Sequence, residues 1–403
     1  MATVSDMDRA ALRAQRLELR RRQVRRRRLT ALAIVAGIIL VSLFAGRLLA
    51  GSDSVSLRPD RSAALVSPFR STLPQELRGV HVSMDLAGIP GKLSSYLALR
   101  KHGLNTIELD VKDEYGEVGF VRGAPALARG DGAAHPYYDA RAVAAQVHRA
   151  GVYLIGRVVA FEDPVTATAH PAMAVRTRSG GVWRTSGGLA WLNPYSHAAW
   201  RYDVDVAVAA AKAGFDEIQF DYVRFPSDGD VADARYPGPH SQPMGETIAA
   251  FLSFAASRLH PLGVRVSADV FGLSGNHDLG VGQYPGQIGE VVDTIYPMTY
   301  PSHYGSGEYN LRDPSAEPGK TVGDSLRDFR AKLAGTKAQL VPWLQDFSLG
   351  RTYRLPDVLA QVQAARNYDA GGFMLWNANG IYTARALAPG PPPPLPPLYA
   401  PHL

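Results

Sequence analysis

The chain has 403 residues, of which 46% are hydrophobic and 20% are charged, and it contains no cysteine. This composition is ordinary for a globular protein, so it excludes a disordered, a collagen-like or a polytopic membrane protein. The lack of cysteine excludes disulfides, zinc-thiolate sites and a cysteine nucleophile. The length allows one large domain or two.

The positive charge of the chain is confined to its N-terminus. The whole sequence carries a net charge of +6, but residues 1–28 hold ten Arg and only three acidic residues. All the other residues together therefore carry a net charge of −1. Because nucleic-acid affinity depends mainly on neutralising phosphates, we predict no nucleic-acid partner.

An apolar segment follows the arginines directly. Residues 29–46 are uncharged, and the apolar run continues past Arg47 to residue 50. At about 1.5 Å per residue, a helix over 29–50 spans the ~30 Å hydrocarbon core of a bilayer. Four consecutive Arg at 25–28 predict a cytoplasmic N-terminus and an extracytoplasmic remainder. We predict a signal anchor in the cell membrane, with a cleaved signal peptide (a secreted protein) and a buried core helix as alternatives.

Composition divides the remaining chain into three parts. Residues 51–75 are rich in Ser, Pro, Arg and Asp without periodicity, which predicts a linker. The last residues, 389–403, form a Pro-rich tail that favours polyproline II structure, with eight prolines in 389–401. We therefore predict a cytoplasmic tail at 1–28, the anchor at 29–50 and one folded domain at 76–388.

Short β-rich runs alternate with longer helical segments throughout 76–388. The predicted strands are 79–85, 104–112, 152–160, 215–224, 264–271, 292–300, 339–346 and 372–377. The predicted helices between them include 139–150, 198–213, 246–260, 322–333 and 355–368. Eight βα units predict the α/β fold class and a (β/α)8 TIM barrel, preceded by one transmembrane helix.

Alternation along each strand predicts which side chains enter the barrel interior, because successive residues point to opposite faces. The predicted inward residues in the earlier part of strands 1, 2, 4 and 5 are His81, Ser83, Glu108, Glu217, Gln219, Arg265 and Ser267. The inward residues nearest the carboxyl ends of strands 1, 2, 4 and 5 are Asp85, Asp110, Lys112, Asp221 and Asp269. Active sites of this fold lie at that face. Several acids held together are costly unless function requires them, although ion pairs with Lys112, Arg157 and Arg224 would also explain them.

Aromatic and amide side chains are predicted at the same face. They are His303, Trp343, Gln345, Trp376 and Asn377, and Asp346 stands among them after strand 7. Aromatic rings stack on the C–H faces of sugars while amides and carboxylates bind hydroxyl groups, so the set favours a carbohydrate ligand. Burial of the tryptophans in the barrel core is the alternative. We find no metal-ligand spacing and predict neither a metal nor a cofactor.

A resemblance to a known family rests on several motifs in order. They are residues 108–113 (ELDVKD), 157–164 (RVVAFEDP), 191–194 (WLNP), 214–226 (GFDEIQFDYVRFP), 267–272 (SADVFG), 296–304 (YPMTYPSHY), 342–347 (PWLQDF) and 374–378 (MLWNA). From about residue 78 to 382 the chain resembles a bacterial family of glycoside hydrolase domains, itself similar to the α-amylase superfamily. In amylase-like barrels the nucleophile ends strand 4, the acid/base ends strand 5 and a third carboxylate follows strand 7. The resemblance implies these roles for Asp221, Asp269 and Asp346, with Asp at the strand-5 position where amylase-like enzymes carry Glu.

We therefore predict a membrane-anchored glycoside hydrolase or transglycosylase acting on an envelope or extracellular polysaccharide. Neighbouring strands lie ~4.8 Å apart, so Asp221 and Asp269 should have carboxyl groups roughly 5–6 Å apart, which suits a retaining mechanism. The alternatives are a lectin-like barrel that binds polysaccharide without cleaving it, and a scaffold whose two ends recruit partners.

Overall fold

A closed sheet of parallel strands forms the centre of the domain. The computed structural model describes residues 71–239 and 242–390. Its strands are β1 (Leu77–Val82), β2 (Thr106–Lys112), β3 (Tyr153–Val159), β4 (Glu217–Asp221), β5 (Arg265–Phe271), β6 (Thr294–Met298), β7 (Gln339–Leu340), β8 (Trp343–Gln345) and β9 (Gly372–Trp376). β7 and β8 are two halves of one barrel strand, separated at Val341 and Pro342. Proline has no N–H for the sheet, which accounts for the break there.

The strands close into an eight-stranded α/β barrel. Their order is β5-β4-β3-β2-β1-β9-β8-β6-β7, and β5 also pairs with β6, which closes the ring. All these pairings are parallel. The predicted (β/α)8 barrel is confirmed. Seven of the eight predicted strands contain the observed strand, and the predicted strand 79–85 overlaps β1 only over 79–82.

Helices cover the outside of this barrel. Their bounds are Met84–Ala87, Lys92–Leu97, Ala126–Gly130, Ala140–Arg149, Pro164–Ala169, His197–Ala213, Met244–Leu259, Pro285–Gly289, Pro318–Lys332 and Leu355–Asn367. Local signals fix their ends. Ser196 caps the longest helix by accepting the Ala199 N–H, and Gly214 ends it with a φ of 118° that favours glycine. The main apolar core lies between strands and helices, where Ile107, Leu109 and Val204 are fully buried.

The first strand ends earlier than the sequence predicts. β1 stops at Val82, and the chain turns at Ser83 into the short helix Met84–Ala87. Asp85 therefore lies in the first turn of that helix with an exposed side chain. The prediction that Asp85 ends a strand and faces the interior is wrong, since alternation applies only while the strand continues.

The second correction concerns Lys112 at the end of β2. A bulge pairs Asp110 with Arg157 but Lys112 with Val158, so Val111 is skipped. An extra residue in a strand reverses the faces that follow it, and Lys112 points out of the barrel. There its ammonium lies 2.8 Å from Asp163 Oδ2 and 2.5 Å from Asp203 Oδ1, with all three side chains fully buried.

Replacing Lys112 by Met should destabilise the domain by about 3–5 kcal/mol, because it leaves two buried carboxylates without their cation. Burial raises the pKa of Asp203 to about 7 even beside Lys112. Adding Asp163→Asn and Asp203→Asn should therefore recover part of the loss. The free energy of unfolding from urea titration measures both effects. A loss below about 1 kcal/mol for Lys112→Met would show that the cluster contributes little.

The membrane prediction concerns residues outside the described part of the chain. The segment 29–50 lies before residue 71, where the description begins. Within 71–239 and 242–390, no helix has both the length and the apolar character needed to span a bilayer.

Candidate active site

A cavity of about 700 Å³ opens over the carboxyl ends of the barrel strands. Ligand sites commonly have volumes of ~300–1,000 Å³. Its charged or ionisable wall consists of His81, Glu108, Arg157, Asp221, Arg224 and Asp269, together with His303. Its other aromatic side chains are Tyr222, Phe271, Tyr300, Tyr304, Trp343, Phe347 and Trp376.

Asp221 is the last residue of β4, and both of its carboxylate oxygens accept hydrogen bonds. Arg157 donates to Oδ2 through Nε at 2.9 Å and Nη2 at 2.7 Å. The backbone N–H of Tyr222 donates to Oδ1 at 2.7 Å. Tyr222 has a φ of 49°, a left-handed conformation that is costly for a residue other than glycine. These contacts fix the position of the Asp221 side chain in the cavity wall.

Asp269, on β5, has no cationic partner within the described part of the chain and is buried among neutral hydrogen-bond donors. Its Oδ1 accepts hydrogen bonds from Gln219 Nε2 at 2.6 Å and from Trp343 Nε1 at 2.7 Å. Burial, followed by the negative charge of Asp221, raises the pKa of Asp269 well above its usual range. Both effects favour the protonated form of the carboxyl group. Because Oδ1 already accepts two N–H groups, the proton belongs on Oδ2.

The register of β4 against β5 makes Asp221 and Asp269 neighbours. Pairing of β4 with β5 runs from Glu217 opposite Arg265 to Phe220 opposite Ala268, and the next residues are Asp221 and Asp269. Both line the same cavity. The arrangement places an ion-paired carboxylate beside a carboxyl group whose pKa is raised, which is the combination that a glycosidase uses.

Deeper in the barrel, a polar layer supports the pair. Glu217 is fully buried and accepts hydrogen bonds from the hydroxyls of Tyr153 and Tyr296, each at 3.0 Å. Burial raises the pKa of Glu217, although these hydroxyls oppose the shift. Gln219, two residues further along β4, donates a hydrogen bond to Asp269. The inward phase predicted for β4 and β5 thus matches the observed contacts.

His81 and Glu108 form a second pair in the cavity wall. His81 Nδ1 is hydrogen-bonded to Glu108 Oε2, and His81 Nε2 lies 3.7 Å from Asp110 Oδ2. Burial lowers the pKa of His81, but the charges of Asp110 and Glu108 raise it by more, so the net shift is upward. Asp110 also accepts a hydrogen bond from Arg157 Nη1 at 2.8 Å. Arg157 thereby links Asp110 to Asp221.

Four rings that contact one another form an aromatic wall of the cavity, namely Tyr300, His303, Phe347 and Trp376. Tyr300 packs against Trp376 with centroids 5.7 Å apart, and Phe347 meets Trp376 edge-on at 5.3 Å. His303 stands perpendicular to Tyr300 at 5.2 Å. Burial lowers the pKa of His303, so its imidazole is neutral at pH 7. The wall supplies the apolar faces on which sugar rings stack.

The cavity brings together seven of the predicted site residues. They are Arg157, Asp221, Arg224, Asp269, His303, Trp343 and Trp376. Of the other predicted residues, Asp110 supports the wall through Arg157, while Asp85 and Lys112 lie elsewhere for the reasons given above.

Three further predicted residues organise loops and do not line the cavity. Asp346 accepts hydrogen bonds from the Thr383 N–H and hydroxyl, both at 2.6 Å. Asn377 donates to the Asp346 backbone carbonyl. Gln345 accepts the Ser302 N–H at 3.0 Å and donates to the Phe347 carbonyl at 3.0 Å, which positions the aromatic wall. The sequence placed these residues at the right face, but their side chains turn into the loops.

The predicted site omits several side chains that line the cavity. His81 and Glu108 have the inward phase of β1 and β2, so alternation identified their direction, but neither was assigned a role. Tyr222 follows Asp221 directly, and its backbone conformation has no sequence signal. Among the described residues, no group of three or more acidic or His side chains is arranged to hold a metal ion.

Solved structures resemble this barrel. The glycoside hydrolase domain of PgaB (BpsB) from Bordetella bronchiseptica is 17% identical over 76% of this chain and 95% of its own, with a TM-score of 0.53. A chitobiase from Flavobacterium johnsoniae is 10% identical over 77% of this chain and 47% of its own, with a TM-score of 0.50. At these identities the likeness concerns the fold alone.

Sequence comparison adds the family. A hypothetical protein from Ruminiclostridium thermocellum is 35% identical over 47% of this chain and 97% of its own, with a TM-score of 0.44. None of the curated protein sequences compared with this chain matches it. A family model described as "Putative glycosyl hydrolase domain" matches residues 79–382, which include every strand except the first two residues of β1. The chain therefore belongs to this glycosyl hydrolase domain family.

Proposed function

We propose that this protein is a membrane-anchored glycoside hydrolase or transglycosylase that acts outside the cytoplasm on an envelope or extracellular polysaccharide. The observation that carries the proposal is that Asp221, held by Arg157, and Asp269, whose buried carboxyl group has a raised pKa, end neighbouring strands in one cavity. The aromatic wall and the glycosyl hydrolase family support a carbohydrate substrate. No nucleic-acid partner is proposed, since the chain beyond residue 28 has a net charge of −1.

The proposed mechanism retains the anomeric configuration. An Asp221 carboxylate oxygen attacks the anomeric carbon, the bond from that carbon to the leaving oxygen breaks, and Asp269 Oδ2 gives its proton to the leaving oxygen. The Asp269 carboxylate then takes a proton from water or from an acceptor sugar hydroxyl. The resulting oxygen attacks the anomeric carbon and displaces Asp221, so Asp269 is again protonated.

Glycan release tests the proposed activity. Full-length protein in detergent micelles is incubated with purified envelope and extracellular polysaccharides, and new reducing ends and oligosaccharides are quantified. We expect release from at least one polysaccharide, with the first product in the anomeric configuration of the substrate when followed by NMR. Inverted product would reject the retaining mechanism. Binding without any release would reject the enzyme and favour the lectin-like alternative.

Topology is tested separately with a reporter fused after Leu403. The four arginines at 25–28 and the apolar run that follows predict that the reporter is active only outside the cytoplasm. The protein should also remain in the membrane fraction with its N-terminus intact. Recovery of soluble protein that begins near residue 51 would show that the segment is a cleaved signal peptide. As a control, replacing Arg25–Arg28 with Ser should weaken the preference for a cytoplasmic N-terminus, so a smaller fraction of the reporter should be active outside the cytoplasm.

A further inference from the structure

Arg224 carries a buried positive charge in the cavity wall without an acidic partner. Its side chain is 9% exposed. The acids whose charges act on it are Asp221, Glu162 and Asp228. None of the described carboxylates lies within the 4.0 Å that defines an ion pair with its guanidinium. Burial lowers the pKa of Arg224, which marks a desolvated cation.

The other charges of the cavity have partners. Arg157 pairs with Asp110 and Asp221, and His81 pairs with Glu108. Burial and the charge of Asp221 raise the pKa of Asp269 well above its usual range, which favours its neutral form. Arg224 is thus the cation of this cavity that forms no ion pair with a residue that the structure describes, and the charges of Asp221, Glu162 and Asp228 act on it only from beyond 4.0 Å. Buried charges are ordinarily paired, so this exception calls for a ligand.

The surroundings of Arg224 hold its guanidinium in one orientation. The group lies 4.9 Å from the Trp191 ring centroid, 5.1 Å from that of Tyr222 and 4.8 Å from that of Phe271. Nη1 donates to the Phe225 carbonyl at 3.1 Å and to Ser227 Oγ at 3.0 Å. Aromatic faces and neutral acceptors therefore surround the guanidinium, and they position this cation without neutralising its charge.

One edge of the guanidinium stays available. Nε and Nη2 make no hydrogen bond with any residue in 71–239 or 242–390, and Arg224 lines the cavity. The Nε–Nη2 edge presents two parallel N–H groups, the geometry that binds carboxylate or phosphate in a bidentate manner. Trp191 reaches this place through an insertion after β3, which bridges Glu162 to Trp191 and Ala174 to Leu192.

We propose that Arg224 recognises a negatively charged substituent, a carboxylate or a phosphate, on a sugar of the bound polysaccharide. This inference rests on the proposed function for its sugar site, and it narrows the substrate class to anionic glycans. Neutral hydroxyls would use the same N–H groups but would leave the guanidinium without an ion-pair partner. A carboxylate or phosphate would accept hydrogen bonds from both Nε and Nη2 of Arg224, and its negative charge would pair with the guanidinium.

Binding of defined sugars tests the inference independently of turnover. D-glucuronate, glucose 6-phosphate and glucose are titrated into the full-length Asp221→Asn protein in detergent micelles, and affinity is measured by saturation-transfer NMR. We expect at least one anionic sugar to bind roughly tenfold or more tightly than glucose, as charge-assisted hydrogen bonds imply. Comparing the two anionic sugars distinguishes carboxylate from phosphate recognition.

Three variants in the same background supply the controls. Arg224→Gln should remove the preference for anionic sugars, because no cation then remains to pair with their charged oxygens, and Arg224→Lys should keep part of that preference. Arg184→Gln removes an exposed charge from the same insertion and should leave the preference intact. Equal affinities for all three sugars, or a preference that survives Arg224→Gln in a folded protein, would overturn the inference. Release of only neutral glycans would also overturn it while leaving the hydrolase intact, whereas a preference without any release would reject only the enzyme.

Discussion

Replacing Asp221 by Asn should lower glycan release by on the order of 10⁴-fold or more, because the amide cannot attack the anomeric carbon. Binding of the polysaccharide should persist, since the substituted amide keeps an oxygen for the Tyr222 N–H and the aromatic wall is unchanged. Initial rates of reducing-end release, together with binding of the uncleaved polysaccharide, measure both effects.

Asp110→Asn is the matched control for this variant. Asp110 forms an ion pair with the same Arg157 but does not line the cavity. Its loss should disturb Arg157 and reduce release by far less, roughly tenfold. Thermal unfolding of both proteins shows whether the barrel is intact. Equal losses from the two variants would mean that Asp221 acts only by holding Arg157, and the nucleophile would have to be sought elsewhere.

Replacing Asp269 by Asn should lower release by roughly 10²–10⁴-fold, the usual contribution of a general acid. The amide can still accept the hydrogen bonds of Gln219 and Trp343 through its oxygen, and its NH₂ takes the place of the O–H without a transferable proton. Substrates with a good leaving group, such as nitrophenyl glycosides, should be affected less, because their leaving oxygen needs no proton.

The pH dependence provides a second readout of Asp269. Release by the wild-type protein should fall as pH rises through the raised pKa of this carboxyl, because the acid then lacks its proton. The contribution of Asp269 to the free energy of unfolding should also fall as pH rises. The folded state binds the proton more tightly than the unfolded state, so wild-type stability declines as pH rises above ~4, the ordinary pKa of Asp.

The Asp269→Asn variant should lack the part of that decline that Asp269 causes, while other buried carboxyls with raised pKa values, such as Glu162 and Asp203, still contribute theirs. At neutral pH it should be more stable than the wild type, by on the order of 1 kcal/mol or more, and the difference should vanish below about pH 3. A variant that loses activity and gains stability identifies a residue placed for chemistry at a cost to folding. Equal stability at all pH values would show that Asp269 is ionised in the folded protein and is not the resting acid.

The candidate site was predictable wherever the strands are regular. Alternation along β4 and β5 depends only on the two-residue period of a strand, and it identified Glu217, Gln219, Asp221 and Asp269 as interior residues. It failed at Lys112, where the bulge skips Val111, and at Asp85, where β1 has already ended. A bulge and an early strand end are set by pairing with neighbouring strands, so the local pattern cannot report them.

Apolar periodicity is a local property of the chain, so it was sufficient to predict the eight βα units, the main helices and the strand ends that carry the two acids. The different electrostatic surroundings of the two acids depend on the folded structure, since burial beside Asp221 raises the pKa of Asp269. Tertiary structure decided that Asp346 turns toward Thr383. The folded structure also places the Arg224 guanidinium against the Trp191 ring, and Arg224 forms no ion pair with a carboxylate among the described residues. Charge pairing depends on which side chains distant in sequence come within a few ångströms, and only the closed barrel and its insertion fix those neighbours.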